Sequence, residues 1–157
     1  MPFITNQMEY EEGFKPRPYY CSEGYPSVGY GFKIGEKNAP LPSFYLPRAA
    51  ADVWLAELLA GTRAEMQKVP AIASALAGCA GNAAREAVLI SMAYQLGVPG
   101  LAKFARTLSL VAAKDYISAS AEMMNSLWAR QTPSRANRHS RQMAIGEWCP
   151  LYQVKGA

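Results

Sequence analysis

Residues 11–32 read EEGFKPRPYYCSEGYPSVGYGF. Two carboxylates, Glu11 and Glu12, open the stretch. Eight residues separate Glu12 from the thiol of Cys21, and five separate Cys21 from the hydroxyl of Ser27. An acid, a thiol and a hydroxyl close together could do acid-assisted bond cleavage. The acid protonates a leaving oxygen, and a polar group across the bond orients or activates water. An ordinary glutamate has a pKa of about 4.3, too low for donation at neutral pH, so such an acid needs a partly buried seat. A free thiol ionises near 8.5, which leaves about 3% thiolate at pH 7. Cys21 therefore has three readings as a water-handling group. Nearby cations lower its pKa, or the neutral thiol only positions water, or the water step is lost. Taken singly, each residue also has a plain reading: surface carboxylates, a buried inert cysteine, a polar turn residue after Pro26.

These side chains need elements to hold them. Residues 3–11 fit a short helix, which must stop near Gly13 because Pro16 and Pro18 follow. Residues 17–34 combine Tyr, Val and Phe with Gly24, Pro26, Gly29 and Gly31, the composition of a hairpin with tight turns. Residues 36–45 read as an irregular link. Residues 46–69 are Ala- and Leu-rich, with Pro47 suited to a first helical turn. Val53, Leu55, Leu58, Leu59, Met66 and Val69 recur roughly at helical spacing, and Gly61 is awkward inside such a helix. Beyond residue 70 the pattern predicts short helices at about 71–78, 82–96, 101–112, 115–124 and 133–142, punctuated by Gly97, Pro99, Gly100, Pro133 and Gly146. The fold class expected is α+β, mainly α. A small β-hairpin lobe (about 12–45) leads through a connecting helix (46–69) to a helical lobe (70–157 plus 1–11), all in one domain.

Composition narrows the partners. A formal net charge of +4 favours anionic partners without choosing among them. The three cysteines, Cys21, Cys79 and Cys149, match no zinc spacing, and with His139 the single histidine no metal or other cofactor is expected. Cys79, among alanines, reads as a small core residue. No base-reading motif or aromatic–basic platform points to nucleic acid. No apolar run reaches the roughly 18 residues of a membrane span, so stable membrane insertion is not expected. The segment MPFITNQMEYEEG has neither the basic nor the apolar part of a secretory signal.

With these residues in view, EEGFKPRPYYCSEGYPSVGYG resembles the active-site segment of the T-even phage-type lysozymes, the endolysin family that cuts bacterial peptidoglycan. That family sets a catalytic Glu before a Gly at the end of its first helix. An Asp, or in some members a Cys, follows after the same interval as here, and then a Thr. A second block, SLWARQTPSRANRHSRQMAIGEW at 126–148, is similar to the family's Trp, Gln-Thr-Pro, Arg and Gly-x-Trp signature. SMAYQLGVPGLAKF at 91–104 is similar to its central buried helix and following loop. This chain departs from the pattern with Cys21 for Asp, Ser27 for Thr, and Phe32 where the best-known member has His. Its segment between Gly31 and the long helix is also shorter, so part of a sheet is expected to be missing.

The resemblance implies a lysozyme-like fold and a muramidase that hydrolyses the β-1,4 bond between N-acetylmuramic acid and N-acetylglucosamine. Glu12 would be the general acid, with Cys21 and Ser27 positioning water. It implies that Arg135 supports Glu12 and that Glu11 pairs with Arg138. It places Gly31, Tyr94, Thr107 and Glu122 at the glycan, and Gln95 and Trp128 in the helical core near the cleft. The partner implied is peptidoglycan, acted on by a monomer held in the host cytoplasm until it is released to the wall. A virion-borne protein is the alternative location. Two alternative functions stand beside hydrolysis: a lytic transglycosylase, which needs no water step, and a non-catalytic wall-binding module.

Overall fold

The computed structural model describes residues 2–153; residues 1 and 154–157 of the expected domain lie outside them. Among the described residues the order is α1 (Pro2–Glu12), β1 (Lys15–Tyr20), β2 (Pro26–Gly29), β3 (Phe32–Lys33) and α2 (Arg48–Gln67). Then follow α3 (Pro70–Gly78), α4 (Ala83–Leu96), α5 (Val98–Ala102), α6 (Ala105–Ala112), α7 (Tyr116–Met124), α8 (Leu127–Gln131), α9 (Pro133–Ile145) and α10 (Pro150–Gln153). The class is α+β and mainly α, as the patterning predicts. The chain divides into two compact units, one holding Ile4–Leu58 and the other running from Leu59 onward, with the division inside α2.

In the first unit the sheet is antiparallel, in the order β1-β2-β3. Tyr19 lies opposite Ser27 and Tyr20 opposite Pro26, and the register slips between Lys15 and Tyr19. Pro16 and Pro18 fall in that stretch, where the absent N–H groups are tolerated only on an edge strand. β2 is buried along its whole length. Residues 34–47 form no helix or strand. They are tethered by Asn38 N–H donating to Gly24 O (2.9 Å), Tyr20 Oη–H to Ala39 O (2.8 Å) and Leu46 N–H to Pro16 O (2.7 Å). On α2 the buried positions are Ala51, Leu55, Leu59 and Met66, whereas Val53 is 66% exposed. The helix keeps its apolar stripe, but the expected Val53 is not on it; Ala51 is.

In the second unit α4 is buried at Ala84 and from Ala87 through Ala93. It starts at Asn82, whose side chain accepts the Arg85 N–H at 2.9 Å, a side-chain cap for a donor the helix itself leaves unpaired. The expected helix at 101–112 is two, α5 and α6, with a break at Lys103–Phe104. α9 begins at Pro133 and ends at Gly146, which adopts the left-handed conformation at φ 71°. Gly78 of α3 packs so closely on α6 that a Cβ there would stand 2.2 Å from Val111 O. Cys79 is fully buried, in agreement with its reading as a core residue.

Candidate active site

The end of α1 sets the first group. Gly13 takes φ +69° and its N–H closes on Glu9 O at 3.0 Å. The helix therefore stops directly after Glu12, which is partly exposed. Across from it, Gly31 stands in the β2–β3 turn at φ +75°. A Cβ added at Gly31 would lie 3.7 Å from Glu12 Oε2. Backbone without a side chain thus faces the acid, leaving room for a molecule to approach.

The turn from β1 to β2 sets the second group. Gly24 N–H donates to Cys21 O at 2.9 Å and Cys21 N–H donates to Tyr25 O at 3.0 Å. Tyr25 N–H in turn points at Cys21 Sγ at 3.4 Å. That N–H is the main reason the Cys21 thiol ionises more easily than usual. The Glu23 N–H and the Ser27 hydroxyl add to the effect, against partial desolvation and the Glu23 charge. The lowering expected of nearby cations comes instead from backbone donors, which stabilise a thiolate in the same way.

Ser27 Oγ–H donates to Tyr25 O at 3.1 Å, and the residue is only 2% exposed. Cys21 and Ser27 therefore both bond to the backbone of Tyr25, one at its N–H and the other at its carbonyl oxygen. Tyr19, which the sequence reading passed over, lies opposite Ser27. Its phenol is harder to ionise than usual, first through burial, then through negative charge on Cys21 and on Glu12. Tyr19 thus feels both candidate catalytic groups. Period-two alternation along β1 was the available signal, since Tyr19 stands two residues before Cys21.

In the second unit Arg135 is 8% exposed and donates to Ser91 Oγ at 2.9 Å and Ser91 O at 3.4 Å. Ser91 Oγ also meets His139 Nε2 at 2.8 Å, so α4 orients both residues of α9. Arg138 lines a cavity of about 320 Å³ with Arg141, Trp148 and Cys149. Thr107 and Glu122 line another, of about 440 Å³, together with Phe104, Arg106 and Trp128. Glu122 pairs with Arg106 at 3.4 Å. Thr107 is itself 2% exposed. Tyr94 is partly exposed on α4 and does not line that cavity. Trp128 is buried and its Nε1–H donates to Gln95 Oε1 at 2.9 Å; Gln95 itself is partly exposed.

Among the described residues no cluster of three or more His, Cys, Asp or Glu side chains could hold a metal. No described helix is long and apolar enough to cross a membrane.

Comparison with known proteins bears on this arrangement. The family model described as phage lysozyme matches residues 9–141. The probable T4-type lysozyme 1 of Dictyostelium discoideum is 26% identical over 154 residues, covering 86% of this chain and 89% of that protein. The pre-baseplate central spike protein of Enterobacteria phage T4 is 27% identical over 161 residues, covering 86% of this chain and 26% of that protein. A peptidoglycan hydrolase of Pseudomonas phage phiKMV is 31% identical over 133 residues, covering 85% of this chain and 14% of that protein. The chain thus spans most of one relative and a small part of the other two.

Proposed function

Because this chain belongs to the phage lysozyme family, we propose that it degrades peptidoglycan by hydrolysing the β-1,4 bond between N-acetylmuramic acid and N-acetylglucosamine. The observation that carries this reading is the setting of Glu12: a carboxyl at a helix end, facing the bare backbone of Gly31. In this reading a sugar passes over Gly31 and Glu12 protonates the leaving oxygen. The water attacks from the opposite face. Cys21, its thiolate favoured by the Tyr25 N–H, orients that water and takes its proton, while Ser27 fixes the thiol and the water from below. An inverting arrangement needs roughly 6.5–9.5 Å between the two groups to admit the water.

Arg135, Arg138 and Glu11 are assigned a supporting role, and Tyr94, Thr107 and Glu122 are assigned to the glycan chain. The ion pair of Glu122 with Arg106 in an open cavity supports contact with a polar ligand there. The reading gives the protein peptidoglycan as partner and no cofactor. It acts as a monomer held in the host cytoplasm until it reaches the wall, or carried on a virion, the second location gaining support from the likeness to a spike protein.

A second reading is favoured by Cys21 itself. A lytic transglycosylase uses the acid alone and closes an anhydro ring without water, so it tolerates a weaker base. Mass spectrometry of fragments released from purified peptidoglycan separates the two. Reducing ends are expected; fragments one water lighter would replace hydrolysis with transglycosylation. Glu12→Gln is expected to abolish release while leaving the fold intact. Release at near wild-type rate by that variant would remove Glu12 from the mechanism, and no release by the folded wild type would leave a wall-binding module.

A further inference from the structure

Tyr30 lies between the two left-handed glycines of the β2–β3 turn, Gly29 at φ +67° and Gly31 at φ +75°. It is fully buried. Its ring packs 5.2 Å from Phe14 and 5.9 Å from Phe32, centroid to centroid. A phenylalanine would satisfy that packing. The hydroxyl does something more: it reaches Asp52 Oδ1 at 2.6 Å and Glu9 Oε1 at 3.1 Å, and it accepts from Arg48 Nη1 at 3.3 Å. One hydroxyl proton faces two carboxylates, so the three oxygens hold together best when a second proton lies between Glu9 and Asp52. The Glu9 carboxyl is indeed harder to ionise than usual, through burial first and through Asp52, although Tyr30 and Arg48 act against it.

These contacts close a circuit. Glu9 sits one helical turn before Glu12 on α1 and accepts the Gly13 N–H that ends the helix. Tyr30 is bonded in the chain to Gly31, which faces the Glu12 carboxyl. The same residue therefore grips the helix that carries the acid and the turn that faces it. Asp52 and Arg48 anchor the grip to the start of α2. We infer that Tyr30 is a positioning residue whose hydroxyl, held by Glu9, Asp52 and Arg48, fixes the Gly31 backbone against the Glu12 carboxyl. This rests on the reading of Glu12 as the acid.

A mere space-filling or stabilising tyrosine and a positioning one differ in kinetics. For Tyr30→Phe, positioning predicts a fall in kcat on peptidoglycan of about tenfold or more, as expected when a reacting pair loses alignment. KM stays within about twofold, because sugar contacts elsewhere are untouched. The pH profile of kcat is expected to shift on its alkaline limb, where a general acid loses its proton, and the Gly31 amide is expected to exchange faster with solvent. Wild-type kcat with an unchanged pH profile would overturn the inference, even with a lowered Tm. If Tyr30→Phe does not fold, Glu9→Leu and Asp52→Ala carry the same test, since each removes an acceptor of the hydroxyl and leaves the aromatic packing in place. Glu12→Gln run in parallel separates the two claims. Should that variant remain active, the acid assignment fails, and exchange at the Gly31 amide alone decides the tether: faster in Tyr30→Phe upholds it, unchanged sinks it.

Discussion

The backbone N–H of Tyr25 points at Cys21 Sγ at 3.4 Å, and of the contacts that favour ionisation of the thiol it contributes most. An N–H aimed at sulfur favours the thiolate, so Cys21 ionises more readily than an ordinary thiol. Cys79 is the opposite case: burial pushes its thiol up to about 12. Iodoacetamide at pH 7.5 is expected to modify Cys21 while Cys79 stays unmodified, and the rate at Cys21 should titrate with a midpoint below that of the same cysteine in the unfolded chain. Peptide mapping of the alkylated protein reads this directly. Modification at Cys21 is also expected to stop wall degradation by filling the water position; full activity in fully modified protein would remove the thiol from the mechanism.

Two helical glycines, Gly61 inside α2 and Gly78 at the end of α3, should respond to alanine with opposite sign. A Cβ at Gly61 meets nothing within 4 Å, so Gly61→Ala is expected to stabilise by about 0.5–1 kcal/mol through helix propensity. A Cβ at Gly78 would stand 2.2 Å from the Val111 carbonyl oxygen. Backbone cannot turn away as a side chain can, so Gly78→Ala is expected to cost about 1–3 kcal/mol. A urea midpoint that rises for Gly78→Ala would contradict the packing described for α3 and α6, and one that falls for Gly61→Ala would contradict the open space at that position.

The cluster around Tyr30 makes a pH prediction. The folded state raises the Glu9 pKa above 4.5, so it prefers the neutral carboxyl. Below 4.5 the residue is neutral whether folded or unfolded and costs nothing. As pH rises from there through the folded value, the unfolded chain releases the proton first and stability falls. Glu9→Gln cannot ionise. The difference in Tm between Glu9→Gln and wild type should therefore grow in favour of the variant between pH 4 and pH 7. A difference that is flat, or that shrinks as pH rises, would mean that folding does not make the Glu9 carboxyl harder to ionise.

Gly31→Ala combines two penalties. Its φ of +75° disfavours any side chain, at a cost of roughly 1–2 kcal/mol. Its methyl would also stand 3.7 Å from Glu12 Oε2, where the reading places a sugar. Fragment release is expected to fall far more than this loss of stability explains. Asn at the same position relieves part of the backbone strain but fills the same space, so it should recover stability without recovering activity. Recovery of both would show that space at Gly31 does not matter.

Much of this was legible in the sequence because the signals were local. Gly13 with Pro16 and Pro18 ends α1 where the structure ends it. The glycine-rich Tyr, Val and Phe pattern gave the hairpin, and the Ala- and Leu-rich run gave α2. Local signals also misled. Val53 reads as apolar yet lies exposed, while Ala51, too small to register as a hydrophobic marker, is fully buried. The break between α5 and α6 falls at Lys103–Phe104, which carries no proline or glycine, so packing rather than propensity decides it. α8 has only five residues, too few for a helical period to show, and only its cap, Ser126 Oγ accepting from Ala129 N–H at 3.1 Å, marks it. Glu9, Tyr30 and Asp52 meet in space from three distant points of the chain, and no periodicity announces such a meeting. Tyr19 was hidden by its plain role as a strand residue.

The segment between Ala39 and Leu46 has a use that its lack of helix or strand makes easy to pass over. It is pinned at one end through Tyr20 and at the other through Pro16, and residues 40–45 are exposed throughout. New residues spliced between the pins would extend into solvent without pulling on α1 or the β1–β2 turn. Doubling the length of such a span costs only about 0.6 kcal/mol in closure entropy. It is a natural graft point, where a wall-targeting peptide or an affinity handle could be carried by the chain while the groups around Glu12 keep their places.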